Sequence, residues 1–280
     1  TLSSLDSNGA EWSCLRLLKA NKTFTHFLIS LNNKDKLAYR FKPITNRLLT
    51  KTYKKPIKLL RFLFDIKREI KNEKFILMGW LYHGSFFTIF LTLFFNKKCV
   101  LYLHHTNLNP KYDKFTTLLL IYIVGILSHL PWIKVIYSGN SSKKMHEKIG
   151  YKKGGIILSP IVSKDFFIKP INKYVNKKNS FSLISISRWD PIKDIPTLLV
   201  SFKTFLERNK KFKKNIKLTL IGYNLDKNNK NIINILHKLD LIKNVDLLGR
   251  VNDVKEILIK NDVSILTSQS EANPNAISES

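Results

Sequence analysis

At 280 residues the chain is too long for one minimal domain and about right for two α/β domains of modest size, each able to bury its own core. Lysine and arginine outnumber aspartate and glutamate 48 to 20, a net charge of +28, which makes an anionic partner the first expectation. The two cysteines, Cys14 and Cys99, have no C-x-x-C spacing and no metal-like histidine pattern around them, so a disulfide framework is excluded and a reducing cytoplasm fits.

The charge is uneven. Residues 1–170 carry 29 basic and 9 acidic side chains, near +20, against 19 and 11, near +8, in residues 171–280. A nucleic acid or an anionic membrane face would suit the first part. Abundant Lys, Asn and Ile with scarce Gly and Ala are also what AT-rich codons produce, so the charge alone leaves both explanations open. No basic n-region followed by a long apolar run is visible at the N-terminus.

In chain order, short apolar runs alternate with longer helical patterns, the arrangement of parallel strands joined by crossover helices. Strands are predicted over 25–31, 75–80, 99–104 and 134–137, and helices over 11–19, 57–71, 85–95, 115–130 and 141–149. Two uncharged stretches, 75–96 and 115–133, have nearly the length of a membrane span. The first reads as a strand, a turn at Tyr82-His83-Gly84 and an apolar helix. The second, with Gly125, Ser128, His129 and Pro131, reads as a buried helix ending before the proline.

A polar stretch without periodicity over 168–180 marks an interdomain connection, dividing the chain into 1–170 and 171–280. The alternation then restarts: strands over 181–187, 216–222, 245–248 and 263–267, helices over 195–209, 231–239 and 254–260, and a final loop over 268–280 that opens a helix.

The chemistry gathers in this second part. Arg188-Trp-Asp-Pro-Ile-Lys193 follows the 181–187 strand, so a guanidinium and an ammonium stand at the carboxyl end of a parallel strand, where open α/β sheets bind ligands. A planar fork and a mobile point charge suit a diphosphate that grows more negative as its sugar departs, contributing about 3 kcal/mol each by analogy with oxyanion donors. Taken alone, the two are also ordinary surface charge in a lysine-rich chain. Glu271 and Glu279 lie in the last loop and the first turn of the helix after it, with Asn273-Pro274-Asn275-Ala276 supplying free backbone N–H groups for phosphate. Carboxylates accept from sugar and ribose hydroxyls, and they also sit favourably at helix starts.

The order strand, Arg188-x4-Lys193, helix, strand ending at Gly222, Leu-Gly249 with Arg250, Asp262-Val, and Ser270-Glu-x2-Pro-Asn-x3-Glu279 resembles the retaining family 4 glycosyltransferases of the GT-B fold. Asn8-Gly9-Ala-Glu11 looks like that family's Gly-Gly-Ala-Glu opening, and Trp80-Leu-Tyr-His83 and His105-Thr-Asn107 resemble its acceptor-side segments. Tyr137-Ser, His146, Gly150-Tyr151 and Phe167 fall in the expected order. The resemblance implies two Rossmann-like domains with parallel sheets facing a cleft. It gives Arg188 and Lys193 to the donor diphosphate, Glu271 to the transferred sugar and Glu279 to the nucleotide ribose. His105 would lie near sugar and acceptor, with Gly9 and His83 on the acceptor side and Gly222, Arg250 and the 273–276 turn around the donor.

It further implies that no metal is needed, in keeping with the lack of an Asp-x-Asp motif, and that the substrates are a nucleotide-sugar and a lipid-linked or polysaccharide acceptor at the cytoplasmic face of a membrane. Departures are Asn8, Ala272 and Asn273, and Ser159-Pro160, of which Ala272 narrows a phosphate approach that glycine would leave open. By the same resemblance the chain is a fragment lacking a first strand and a closing end, and is expected to bind donor weakly or not at all. Two readings compete: a degenerate, non-catalytic GT-B domain, and a basic nucleic-acid-binding protein, for which no helix-turn-helix, zinc or single-strand-binding motif exists. His83, His104 and His129 are expected in the core, Trp12, Trp132 and Trp189 as packing residues, and the 210–214 lysine run as a solvated helix end.

Overall fold

The computed structural model describes residues 1–6, 9–32, 34–50, 56–70, 73–106, 108, 115–167, 181–210, 215–251 and 253–280. Asn8, Asn107, the connection expected over 168–180 with its 170/171 boundary, and most of the 210–214 lysine run lie outside these residues. The chain forms two compact units, Thr1–Ile161 and Val162–Ser280.

In unit 1, β1 (Phe27–Ile29) pairs in parallel with β2 (Arg47–Leu49), while β3 (Leu77–Trp80), β4 (Cys99–Leu103), β5 (Ile133–Tyr137) and β6 (Ile156–Ile157) form a parallel sheet in that order. Leu2 bridges Ser30 on one side and Trp80 on the other, so Thr1 and Leu2 occupy a strand position between β1 and β3. The helices are α1 (Gly9–Ala20), the short α2 (Ala38–Phe41), α3 (Pro56–Glu69), α4 (Leu81–Phe95), α5 (Phe115–Leu127) and α6 (Asn140–Lys148). α1 covers one side of the sheet, where Cys14 and Leu15 pack with Trp80 and Tyr102. α3, α4 and α5 cover the other, as right-handed crossovers between parallel strands require.

The turn expected at 82–84 is not formed, because α4 starts at Leu81. Leu81 takes a left-handed conformation (φ 59°) and turns strand into helix within one residue. Gly84 answers a close approach instead: a Cβ there would lie 2.6 Å from the Thr1 carbonyl oxygen. α4 and α5 span 15 and 13 residues, and no helix among the described residues is long and apolar enough to cross a membrane. α5 is not the buried helix expected, since only Ile121, Val124 and Gly125 are buried.

Unit 2 is a parallel sheet ordered β10-β7-β8-β9, from β7 (Phe181–Ile186), β8 (Ile216–Ile221), β9 (Val245–Gly249) and β10 (Val263–Ser264). The helices are α7 (Ile195–Arg208), α8 (Lys230–Lys238), α9 (Val254–Ile259) and the four-residue α10 (Asn275–Ser278). α7 is set by an Asp194 cap on the Thr197 amide, a proline in its first turn, and Ile195, Leu198, Leu199, Phe202 and Leu206 on one buried face. Each such burial is worth about 1.5–3 kcal/mol and joins α7 to the sheet through Leu183, Leu218 and Leu220. Asp253 caps α9 through the Glu256 amide, the start of a capping box. Trp189 packs on this core, and Trp12 and Trp132 pack in unit 1, as expected.

Candidate functional site

The unit 2 site is built where β7 ends. Arg188 stands two residues beyond the strand, half-exposed, and its Nε donates to Asp190 Oδ2 at 2.8 Å. Asp190 also accepts from the Ile192 amide (3.0 Å) and so caps the tight turn Pro191–Lys193. Burial alone would raise the Asp190 carboxyl, but the Arg188 hydrogen bond, the Ile192 amide and the charges of Arg188 and Lys193 outweigh it and hold it below the ordinary carboxylate value. Asp190 therefore stays ionised at neutral pH and keeps the guanidinium in place.

Lys193 closes that turn, and its Nζ donates to Glu271 Oε1, both side chains being largely buried. Two contacts hold the loops that carry them. Thr267 Oγ1 donates to the carbonyls of Lys193 (3.1 Å) and Asp194 (3.0 Å), and the Gln269 amide donates to the Ile192 carbonyl at 2.8 Å. The pairing of β10 with β7 makes these loops neighbours.

Gly222 follows β8 with φ 143°, and a Cβ there would fall 1.5 Å from the Ser187 carbonyl oxygen. Only glycine fits, and the β7 and β8 ends meet because of it. Its amide bonds the Gly249 carbonyl at 2.8 Å, while Arg250 stacks its guanidinium over the Tyr223 ring at 4.8 Å. On the last loop, Asn273 accepts from Ser278 Oγ (3.3 Å), and α10 starts after Pro274 with no side chain capping it. Asn275 and Ala276 are its first residues, half-buried, and Glu279 ends it with its amide on the Asn275 carbonyl at 2.9 Å.

Unit 1 places aromatic and imidazole rings at the carboxyl ends of β3 and β4. Tyr82 Oη donates to His146 Nε2 at 2.8 Å, and His146 Nδ1 donates to the Ser142 carbonyl at 2.7 Å, an assignment fixed because that oxygen only accepts. Burial lowers the His146 pKa to about 4; the Ser142 bond opposes this and the His105 charge adds to it. His105 lies edge-on to the Tyr82 ring, centroids 6.0 Å apart. His104 is enclosed by Trp80 and Tyr102, and burial lowers its pKa to about 4. His83 and His129 are not core residues: both are exposed, His83 on the outer side of α4 and His129 in the turn after α5, where its Nε2 bonds the Gly150 carbonyl. Gly9 is the exposed first residue of α1, and Glu11 behind it is buried, accepting from Ser4 Oγ at 2.9 Å.

Of the residues expected in the donor site, Lys193 and Glu271 are in contact, whereas Arg188 is engaged by Asp190. Asp190, Asp194, Thr267 and Gln269, which hold the loops, were not among the expected residues. The Asp190-Pro191 turn signal could have pointed to the first of them.

Two parallel α/β units, with ligand-binding strand ends in the second, are the architecture of the GT-B fold. Residues 167–280 match the family described as glycosyl transferases group 1. The chain is similar to the solved structure of Anabaena Alr3699/HepE in complex with UDP (14 % identity, TM-score 0.74, covering 99 % of this chain and 76 % of that one). It is also similar to a glycosyltransferase from Rickettsia africae ESF-5 (16 %, TM-score 0.65, 97 % and 73 %). WaaG, a glycosyltransferase involved in lipopolysaccharide biosynthesis, is a third (13 %, TM-score 0.63, 100 % and 76 %). At these identities the likeness is one of fold. No curated protein matches the chain.

Proposed function

We propose that the chain is a retaining glycosyltransferase moving a sugar from a nucleotide-sugar donor to a lipid-linked or polysaccharide acceptor. The observation that supports the reading most is the Lys193–Glu271 contact, made across 78 residues of sequence by the loops that follow the adjacent parallel strands β7 and β10. A cation and a carboxylate side by side match the two halves of the donor. Lys193 keeps two further N–H groups for diphosphate oxygens, and Glu271 keeps an oxygen for sugar hydroxyls.

In the reaction the bond from the anomeric carbon to the phosphate oxygen breaks, and its electron pair leaves with the diphosphate. Arg188 and Lys193 neutralise that charge, each contributing about 3 kcal/mol, with no divalent ion assigned. The acceptor hydroxyl attacks the face the diphosphate leaves, its proton passing to the departing phosphate oxygen, so the anomeric configuration is retained. Glu279 binds the ribose. The complexes of HepE with UDP and UDP-glucose make uridine nucleotides the first donors to examine, and the role of WaaG favours a cell-surface glycan as acceptor.

The test is transfer or donor hydrolysis with a panel of UDP-, GDP- and ADP-sugars, with and without a chelator, and NMR of the product's anomeric centre. Turnover with retention supports the reading. An inverted product overturns the stereochemistry, and no turnover of any donor leaves a non-catalytic GT-B domain.

A further inference from the structure

We propose that the outer face of the α3–α4–α5 layer of unit 1 docks on an anionic lipid bilayer, its apolar stripes entering the headgroup region and its basic side chains meeting the lipid phosphates. This deepens the proposed function, since it names the surface through which a lipid-linked acceptor would be met, but it rests on unit 1 alone.

α4 is inside out. Its sheet-facing side carries Gly84, Ser85, Thr88 and Thr92, and the two threonine hydroxyls bond the helix's own carbonyls (Thr88 to Gly84, 2.7 Å; Thr92 to Ile89, 2.6 Å). Its solvent side carries Phe86, Phe90 and Leu93, the last two 61 % and 73 % exposed. The 86, 90, 93 spacing puts all three on one stripe. The fold does not use that stripe, because the helix is already seated through its small residues together with Tyr82, Ile89 and Leu91.

The neighbouring helices repeat the pattern. On α5, Leu119, Tyr122 and Ile126 share one exposed stripe, and on α3, Ile57, Leu60 and Phe64 share another. The three helices lie side by side. Leu63 of α3 packs with Leu91 and Phe94 of α4, the Phe64 and Phe94 rings meet edge to face at 5.4 Å, and Ile89 of α4 packs with Ile121 and Val124 of α5. Nine large apolar side chains on one layer exceed the scattered exposure normal for a soluble surface and mark an interaction site.

Charge decides between occupants. Lys58, Arg61 and Arg68 flank or continue the α3 stripe, and Lys97 and Lys98 follow α4, all exposed. The nearby acids are Asp65, Glu69 and Glu73. Asp65 Oδ1 is bound by Arg68 at 2.7 Å and Glu69 by Arg47 Nε at 3.0 Å, and Glu73 is exposed beyond the helix end. A second copy would bring another face of the same sign against this one, in a half of the chain near +20. An anionic bilayer answers both the apolar stripes and the basic side chains. No described helix spans a membrane, so the mode is in-plane docking.

The test is co-sedimentation of the full chain with phosphatidylcholine vesicles, with or without phosphatidylglycerol, at low and high salt. Wild type binds the anionic vesicles, and part of that binding survives high salt, which a purely electrostatic contact would not. Phe86→Asp with Phe90→Asp lowers partitioning at least about a hundredfold, one decade or more per withdrawn phenylalanine. Lys97→Glu with Lys98→Glu removes about thirtyfold or more of the anionic preference. Both variants keep the wild-type melting temperature and UDP affinity, the latter separating this inference from the transferase reading. Absent binding, equal binding by the Phe86→Asp/Phe90→Asp variant, or equal binding to neutral vesicles overturns it. So does a dimer in sedimentation velocity that the same variant dissolves, which assigns the face to a second copy.

Discussion

Acid weakens unit 1 through two buried imidazoles. His104 and His146 have folded-state pKa values lowered to about 4 from an ordinary 6.5, by burial first in both cases. Between these values the unfolded chain binds more protons, so stability is complete above pH 6.5 and falls as pH drops toward 4. At about pH 5 each histidine has lost about 2 kcal/mol, at about 1.4 kcal/mol for every pH unit below its unfolded value. Together they remove about 4 kcal/mol, a large share of the 5–15 kcal/mol that ordinarily holds a domain. Urea unfolding at about pH 7.5 and pH 5 measures the loss. Tryptophan fluorescence reports it, since Trp12, Trp80 and Trp132 lie in unit 1. His146→Gln sacrifices the Tyr82 hydrogen bond, about 1–2 kcal/mol at neutral pH, but cuts the acid-induced loss by about half. An unchanged urea midpoint at the two pH values refutes the reasoning, as does a His146→Gln variant with the full acid loss.

Gly222→Ala destabilises unit 2 by more than about 2 kcal/mol, because the left-handed backbone is strained for alanine and the Cβ meets the Ser187 carbonyl; a wild-type melting temperature contradicts this. Cys14 and Cys99 are buried and their thiols are pushed up to about 12 by burial, so an aromatic disulfide reagent labels them only as fast as the protein opens. Fast stoichiometric labelling of the native chain counts against it. Glu271→Gln leaves UDP affinity unchanged or raised, since a carboxylate beside the diphosphate is gone, while the preference for UDP-sugar over UDP declines in paired titrations.

The alternating α/β order was legible because its signals are local. Ile195, Leu198, Leu199 and Phe202 announce α7 by spacing, and runs such as Ile216–Ile221 announce strands by length. What stayed hidden had little pattern to show. β2 and β6 contribute two apolar residues each and are partly or wholly exposed, and α2 is a single turn. The expected strand over 263–267 shortens to Val263–Ser264 as the chain leaves for its loop contacts. The left-handed Leu81 carries no sequence mark at all, unlike a glycine. At the site, Arg188, Lys193 and Glu271 were readable as residue types in a familiar order. The engagement of Arg188 by Asp190 and the stitching of loops by Thr267 and Gln269 are tertiary hydrogen bonds, with no periodicity to betray them. The apolar outer stripes escape the sequence for a related reason: periodicity identifies a helix's two faces but not which one the sheet takes, and α4 gives the sheet its small residues.

The central claim, that Lys193 and Arg188 hold a donor diphosphate, is tested most directly by comparing UDP and UMP affinities calorimetrically in the wild type and in Lys193→Ala. The account predicts that the variant loses about tenfold or more for UDP, the worth of one charge-assisted hydrogen bond, and less than about twofold for UMP. An unchanged UDP affinity, or an equal loss for both nucleotides, contradicts it.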